Sequence, residues 1–529
     1  MKKNYVIIFS VLIFFSTNII AQITFHKTYG RPDHNWAYSV QQTFDGGYIA
    51  SGASGNQINP DNDAYIVKTD AYGDTLWTLL IAGVANQDMA VSVKQTTDSG
   101  YIVGGYTYDP LTFHYSPSLI RLDANGDTLW TKMYRVWICN NINCSDVTTD
   151  VVQTLDGGFV ITGRFETQPI SGSRNVFLIK TDTVGNRLWS KVYEGGTFCE
   201  PGYLVQTPDS GFLIAGWSNG SSLGDVYLIR TDKAGDTLWT RYYGGSSSDL
   251  AMSIAPTNDS GFIICGSTES FGAGEWDIYL IKTDPNGDTL WTRTYGGAGT
   301  DYGFSAWQTS DGGYIVSGRT LSFSTDDKVY LTKTDSLGNV LWSKRYGRSL
   351  YNYRNVVSPT DDGGFIIGAE YLHADSLATD LYLIKTDADG NSGCNEQDVF
   401  TVMGYADTKI SNTLTLVANI PLPSVNMNAM LHNEGTVINN CLTQSVSEIV
   451  TDEGIVIYPN PATAQFTVSL PGWGIKNTKM KIVDITGRVV HEQEINSQSF
   501  IVNCSIGKGL YFVEVSDGEK VSVQKLIIR

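Results

Sequence analysis

Thr43-Phe-Asp45-Gly-Gly-Tyr48 is the first of seven copies of the pattern Thr-x-Asp-(Gly/Ser)-Gly-(Tyr/Phe), centred on Asp45, Asp98, Asp156, Asp209, Asp259, Asp311 and Asp362. The copies stand roughly fifty residues apart. Each is followed by an apolar run, a variable loop, and a second run such as Asp277-Ile-Tyr-Leu-Ile-Lys-Thr-Asp284; then come x-x-Gly-(Asp/Asn)-x-Leu-Trp and a Tyr-Gly ending. A unit of this length cannot cover both faces of its own sheet, so the units must stack, and the period predicts a propeller or solenoid. In the fifth copy, Ser253 to Thr257 reads as a strand, Asn258-Asp259-Ser260-Gly261 as a hairpin turn, and Phe262 to Gly266 as the next strand. Asp277 to Thr283 gives a third strand, and Pro285-Asn286-Gly287-Asp288 turns into a fourth from Thr289 to Tyr295. Asp and Gly supply the backbone angles of such tight turns. The expected fold is all-β: a seven-bladed β-propeller of four-stranded antiparallel blades, followed by a small C-terminal β-sandwich.

The fourth-strand Leu-Trp occurs only six times, at Trp77, Trp130, Trp189, Trp239, Trp291 and Trp342. The seventh unit lacks it, while an orphan fourth strand, Ile23-Thr-Phe-His-Lys-Thr-Tyr29-Gly30, precedes the first turn. Residues 23–30 are therefore expected to complete the last blade and remove a free sheet edge. Tight turns join strands one to two and three to four, whereas the loops two-to-three and four-to-one vary in length, which puts the variable loops on one face. Two insertions lie side by side there: Tyr106 to Ser118, and Arg135 to Ser145. Their Tyr108, Phe113, His114, Tyr115 and Trp137 form the candidate ligand-binding patch.

Lys2 and Lys3 followed by the uncharged stretch from Val6 to Ile20, ending at Ala21, have the layout of a secretory signal, so residues 1–21 are set apart from the fold. The organisation expected is a signal peptide over 1–21, the propeller over 22–391, a linker or small strand-containing appendage over 392–452, and a sorting sandwich over 453–529. The formal charge of -18 argues against nucleic acid and anionic membranes as partners. No membrane insertion and no cofactor are expected. Seven cysteines in an exported chain make Cys139 with Cys144, and Cys394 with Cys441, plausible disulfides, although spacing alone does not fix pairing.

Asp123-Ala-Asn125-Gly-Asp127, Asp284-Pro-Asn286-Gly-Asp288 and Asp387-Ala-Asp389-Gly-Asn391 alternate oxygen ligands, but they lack the long loop and closing Glu of a calcium-binding hand and read as hairpin turns. The six histidines form no His-Glu-x-x-His, there is no Gly-x-Ser-x-Gly elbow, and the repeated Asp fits turn chemistry better than acid-base work. No catalytic residue is assigned. The expectation is a binding or adhesion module for a glycan or protein ligand. An extracellular polysaccharide hydrolase, with unique acids on the variable face, is the alternative.

Three resemblances attach to these motifs. Thr-Asp-x-x-Gly-Asp-x-Leu-Trp resembles the tryptophan-docking repeat of pyrroloquinoline-quinone dehydrogenases, in which Gly and Trp lock neighbouring blades; the resemblance implies architecture and not the cofactor. The Thr-x-Asp-x-Gly turn looks like the first half of the Asp-box of sialidases, itself structural. From Ile455 onward, Tyr458-Pro-Asn-Pro461, Asp484-Ile-Thr-Gly487-Arg488, Gly509-Leu-Tyr511 and Lys525-Leu-Ile-Ile-Arg529 resemble, in that order, the type A C-terminal sorting domain of the type IX secretion system of Bacteroidetes. That resemblance implies that Gly487, Arg488, Gly509, Tyr511, Lys525 and Arg529 belong to a sorting signal. It also implies passage across the outer membrane by the type IX machinery, removal of this unit, and release or attachment to surface polysaccharide.

Overall fold

The computed structural model describes residues 22–31, 34–55, 62–82, 88–109, 114–135, 146–167, 173–196, 199–221, 224–323, 328–347, 355–373, 378–406, 409–412, 416–419, 424–426, 430–432, 436–439, 456–458, 465–470, 478–484, 488–503, 509–516 and 521–528. The chain divides into two compact units, Met1–Leu442 and Thr443–Arg529. Regular structure among the described residues is all strand, apart from a single 3-10 turn at Asn219–Ser221.

In the first unit each repeat supplies one antiparallel sheet, numbered here by its turn. Sheet 5 is representative: Asp249–Pro256, Phe262–Thr268, Asp277–Thr283 and Thr289–Gly296 pair in chain order. Its first turn closes through Thr257 and Asp259. The Asp259 carboxylate accepts the Thr257 hydroxyl, the Gly261 N–H at 3.1 Å and the Lys282 ammonium at 3.0 Å. The same triad recurs in all seven sheets, with Lys68, Arg121, Lys180, Arg230, Lys333 and Lys385 as the other cations. In the three-to-four turn the aspartate is spent on backbone: Asp284 Oδ1 accepts the N–H groups of Asn286 and Asp288, both at 2.8 Å. The oxygen-rich turns are thus Asx turns, with their carboxylates turned inward on their own chain.

Sheet 7 is built from Val356–Pro359, Phe365–Leu372 and Thr379–Thr386, and its fourth strand is the N-terminal Phe25–Gly30. The pairing runs antiparallel from Phe25 opposite Lys385 to Tyr29 opposite Leu381, as expected for residues 23–30.

Neighbouring sheets share apolar cores. Ile49, Ile66 and Leu79 of sheet 1 pack with Val93, Tyr101 and Ile120 of sheet 2. Leu331 and Tyr346 of sheet 6 pack with Phe365 and Ile384 of sheet 7, and Tyr29 and Leu383 of sheet 7 pack with Tyr48 and Tyr65 of sheet 1. The first strands touch in the same succession, and Val356–Pro359 of sheet 7 meets His34–Gln42 of sheet 1. A second lock joins each pair. Gly126, Gly185, Gly235, Gly287, Gly338 and Gly390, all at positive φ, face the indole of the preceding sheet's Trp so closely that an added Cβ would lie 2.6–3.0 Å from it. At the seventh junction Phe25 replaces the tryptophan against Gly73, and the Tyr29 hydroxyl donates to the Gly73 carbonyl at 2.6 Å, as Tyr295 does to Gly338 at 2.8 Å.

Residues 396–439, read from the sequence as a linker or appendage, do something else. They supply seven short strands, each bonded antiparallel to the outermost strand of a different sheet, so every sheet has five strands instead of the four expected. Glu396–Asp398 joins sheet 6, Val402–Gly404 sheet 5, Lys409–Asn412 sheet 4, Leu416–Asn419 sheet 3, Ser424–Asn426 sheet 2, Met430–His432 sheet 1 and Thr436–Asn439 sheet 7. This strap visits the sheets in reverse order and covers edges that would otherwise present unpaired N–H and C=O groups. Such pairing uses backbone groups, so it leaves no side-chain repeat to read. Where side chains are described they add anchors: Lys344 Nζ to Asp398 Oδ1 at 2.6 Å, and the Arg293 guanidinium over the Tyr405 ring at 4.5 Å.

The second unit holds a three-stranded sheet, Val456–Tyr458, Gln465–Ser469 and Ser499–Asn503, and a four-stranded sheet, Val489–Glu494, Lys479–Asp484, Gly509–Ser516 and Val521–Ile528. Phe466, Val468 and Val502 of the first share one core with Met480, Ile482, Val513 and Leu526 of the second.

Candidate ligand-binding site

In sheets 1 to 6 the first strand carries a register shift against the second, for instance between Ala37 and Ser39 and between Ala251 and Ser253. A bulge leaves one residue unpaired and re-aims its side chain. The residues in these gaps are Tyr38, Val91, Thr149, Gly202, Met252 and Phe304. The first five line one cavity of about 330 Å³, together with Tyr106, Arg164, Glu200 and Trp217. Tyr106, Arg164 and Trp217 occupy one register on the second strands of sheets 2, 3 and 4, each five residues past the Tyr or Phe that ends the hexapeptide. Both sets lie at the ends of their strands away from the tight first turns, toward the variable loops.

One wall is ionic. Arg164 Nη1 donates to both oxygens of Glu200, at 3.0 and 3.2 Å. Arg174 Nε donates to Glu166 Oε1 at 2.9 Å, and Arg174 also reaches Glu200. The carboxylates are thereby committed to guanidinium donors, while Arg164 Nε, buried, has no hydrogen-bond acceptor. Tyr38, Tyr106 and Trp217 add aromatic lining, with Trp217 the cross-strand partner of Glu200.

One residue of the candidate patch read from the sequence, Tyr115, packs on the cavity-lining Tyr106. The described residues of the insertion from Tyr106 to Ser118 extend the sheet: Tyr101–Asp109 and His114–Leu122 are nine-residue strands, with Tyr108 opposite Tyr115 and Asp109 opposite His114. Tyr115 packs edge-on against Tyr106 at 5.6 Å and Tyr108 at 5.9 Å. Burial, with Tyr108 and Asp88 nearby, raises its phenol above the usual range. His114 is buried. Of the inserted aromatics among the described residues, Tyr106 lines the cavity. Phe113, Trp137, Cys139, Cys144 and Cys441 lie outside the described residues, as do Gly487 and Arg529 of the sorting motif. Cys394 is disulfide-bonded, and Cys199 and Cys265 are free buried thiols.

The bulge residues were missed in the sequence, yet a signal was present. Five positions before each turn Thr stand Tyr38, Val91, Thr149, Gly202, Met252, Phe304 and Asn355, a position that carries a different residue type in every copy. At the register of Tyr106, Arg164 and Trp217, sheet 7 carries Glu370, whose carboxyl is buried and pushed up by burial to about 8.

Comparison with known proteins bears on the second unit. Residues 456–529 match the family model of the secretion system C-terminal sorting domain. No curated protein sequence matches the chain. Among solved structures, PorZ, an essential bacterial surface component of the type-IX secretion system of Porphyromonas gingivalis, aligns at 13% identity and a TM-score of 0.41, covering 94% of this chain and 60% of that one. Sqt1 of Chaetomium thermophilum aligns at 11% identity and a TM-score of 0.37, covering 65% of this chain and 81% of its own. This chain thus spans about 60% of the length of the PorZ structure. The molecule is an all-β protein carrying a type IX sorting unit. It is exported by that system to the cell surface or beyond it.

Proposed function

We propose that the first unit is a closed seven-bladed β-propeller and that the exported protein, of Bacteroidetes type, is a binding module whose ligand is an extracellular glycan held in the bulge-lined cavity. The cyclic order of sheet contacts and the use of Phe25 and Tyr29 where other junctions use Trp and Tyr support the ring. One observation carries the binding reading: the repeat's regular residues are consumed in turns and locks, while five of the seven residues at its varied position line one cavity. A lining that combines aromatic rings with an arginine–glutamate pair suits a sugar ring, which offers an apolar face for stacking and hydroxyls for charged hydrogen-bond partners. The volume suits a mono- or disaccharide segment of a longer chain. Tyr108 and Tyr115 extend the aromatic surface beyond it. The sorting motif residues Gly487, Arg488, Gly509, Tyr511, Lys525 and Arg529 serve recognition by the secretion machinery.

A glycan array followed by calorimetry on the full chain tests this. Trp217→Ala is expected to weaken binding of the captured glycan by about tenfold or more, in line with a lost aromatic contact, and Arg164→Ala to abolish discrimination among hydroxyl patterns. Binding unaffected by both substitutions would refute the site. The hydrolase reading has one supporting feature, the buried Glu370, whose carboxyl is pushed up by burial to about 8. Release of reducing sugar that Glu370→Gln or Glu200→Gln abolishes would establish it in place of the binding module.

A further inference from the structure

The Tyr-Gly ending of the repeat has a use that the locks between sheets do not explain. At Gly296, where sheets 5 and 6 meet, an added Cβ would lie 2.2 Å from Asp277 Oδ1 and 2.4 Å from Asp301 Oδ2, so two carboxylates crowd one small space over the bare Cα. Both residues are buried, at 2% and 0% exposure. The preceding junction repeats the arrangement, with Asp225 Oδ1 and Asp249 Oδ2 at 2.3 and 2.7 Å from the same point over Gly244. Where sheet 7 meets sheet 1, the equivalent positions carry Asp380 and Asn35 over Gly30, and the Asn35 amide donates to Asp380 Oδ1 at 3.2 Å. Asp301 thus stands where another junction has an amide, and an ionised carboxylate brings no hydrogen to donate.

The other groups around this pair do not neutralise it. Asp277 Oδ2 accepts the N–H groups of Ala273 and Gly274 at 2.8 and 2.9 Å, and Asp301 Oδ2 accepts the Gly297 N–H at 2.8 Å and the Ser322 hydroxyl at 2.5 Å. Asp301 Oδ1, buried, has no hydrogen-bond partner among the described residues. Cations on the packed elements are engaged elsewhere: Lys282 with Asp259, Arg293 over the Trp291 and Tyr405 rings, Arg319 over Tyr302, and Lys328 on the Gly347 carbonyl. The acids Glu269 and Glu275 accept the hydroxyls of Ser247 and Thr300. Tyr330, whose hydroxyl meets Thr401, is raised to about 12 by burial, with Asp301 adding to the rise, and so stays neutral. We propose that Asp277 and Asp301 hold one proton between them, carried on Asp277 Oδ1 and donated to Asp301 Oδ2, in the role that the Asn35 amide fills at the seventh junction.

The proton acts as a clasp on the variable-loop face. Ala273 and Gly274 lie in one loop, Gly297 in a second and Ser322 in a third, and the Asp301 N–H donates to the Trp276 carbonyl at 2.7 Å. Burial raises the Asp277 carboxyl, the Gly274 and Ala273 N–H groups oppose the rise, and the Asp301 charge adds to it. A carboxyl raised in the folded state contributes stability that is complete below the unfolded value near 4 and is lost as pH climbs through the folded value. Losing this proton leaves two like charges together at the point where the three loops meet.

Infrared spectroscopy of the full chain at neutral pH reads the proton directly, as the C=O stretch of a carboxylic acid. Wild type is expected to show one such group more than Asp301→Asn and one more than Asp277→Asn, since in each variant an amide supplies the hydrogen. Equal intensity in wild type and in whichever variant folds would mean that both acids are ionised, and would overturn the proposal. Thermal unfolding with chelator present is the second measurement. Between about pH 5 and pH 8 the wild-type midpoint should fall by about 2 °C or more relative to that of Asp301→Asn. Parallel profiles would overturn the clasp. So would a midpoint raised by calcium chloride in wild type but not in Asp301→Asn, which would put a cation where the proton is assigned.

Discussion

The seven aspartates of the hexapeptide each answer to a buried cation, and the two halves of the pair are not equivalent. The Lys333 side chain is 6% exposed, while its partner Asp311 is 57% exposed. Removing the carboxylate strands a charge in the interior, whereas removing the amine leaves an anion that water can serve. Asp311→Asn is therefore expected to cost about 1–3 kcal/mol, and Lys333→Met clearly less, in chemical denaturation at neutral pH. Acid acts on all seven sites together. Burial alone would raise Asp311, but hydrogen bonds from Lys333 and Thr309 outweigh it and hold the carboxyl at about 2. Asp209, bonded by Thr207 and Arg230 against the opposing pull of burial, also sits at about 2. A carboxyl depressed in the folded state contributes stability that is complete above its unfolded value near 4 and is lost as pH falls toward 2. The thermal midpoint should thus drop steeply between about pH 4 and pH 2, and a flat profile there would contradict the role assigned to the triads.

At the scale of the element, glycines of two kinds occupy the turns, and they separate strain from packing. Gly312 in the first turn of sheet 6 has φ +83 with no atom within 4 Å of a would-be Cβ, while Gly287 in the second turn of sheet 5 has φ +79 and the Trp239 indole at 2.7 Å. Gly312→Ala pays only for the left-handed backbone, about 1 kcal/mol. Gly287→Ala pays that and must displace the ring as well, for a total of about 2–4 kcal/mol. Comparable losses in urea denaturation would mean that the tryptophan contact contributes nothing. Elements built from regular side chains were legible in the sequence: the two tight turns, the Leu-Trp strands and the N-terminal strand that lends Phe25 and Tyr29 to sheet 7. The strap was not, because segments of three or four residues such as Val402–Gly404 join a sheet through backbone groups that every residue has. The cavity escaped for a related reason, since a bulge is a property of two strands in register and shows in one strand only as a varied position.

At the scale of the molecule, the N-terminal strand is held on one side by Thr379–Thr386 and on the other by Thr436–Asn439. In the proposed ring it is also the last lock. Deleting residues 22–30 removes Phe25 from Gly73, Tyr29 from the same carbonyl, and the strand on which the strap finishes. The thermal midpoint should fall by ten degrees or more, on the order of several kcal/mol, and an unchanged midpoint would refute closure by this strand. The strap has a further consequence, which follows from its direction and its number of strands. It is made after every repeat, visits each sheet once, and has a fixed length of chain between stops. A molecule in which one repeat has failed to form offers one docking place too few, and one segment of the strap is left without a sheet edge to pair with. The strap therefore works as a gauge: only a chain in which every repeat has folded can seat all seven of its short strands, and one that has miscounted its own repeats carries a stretch of bare backbone to mark it.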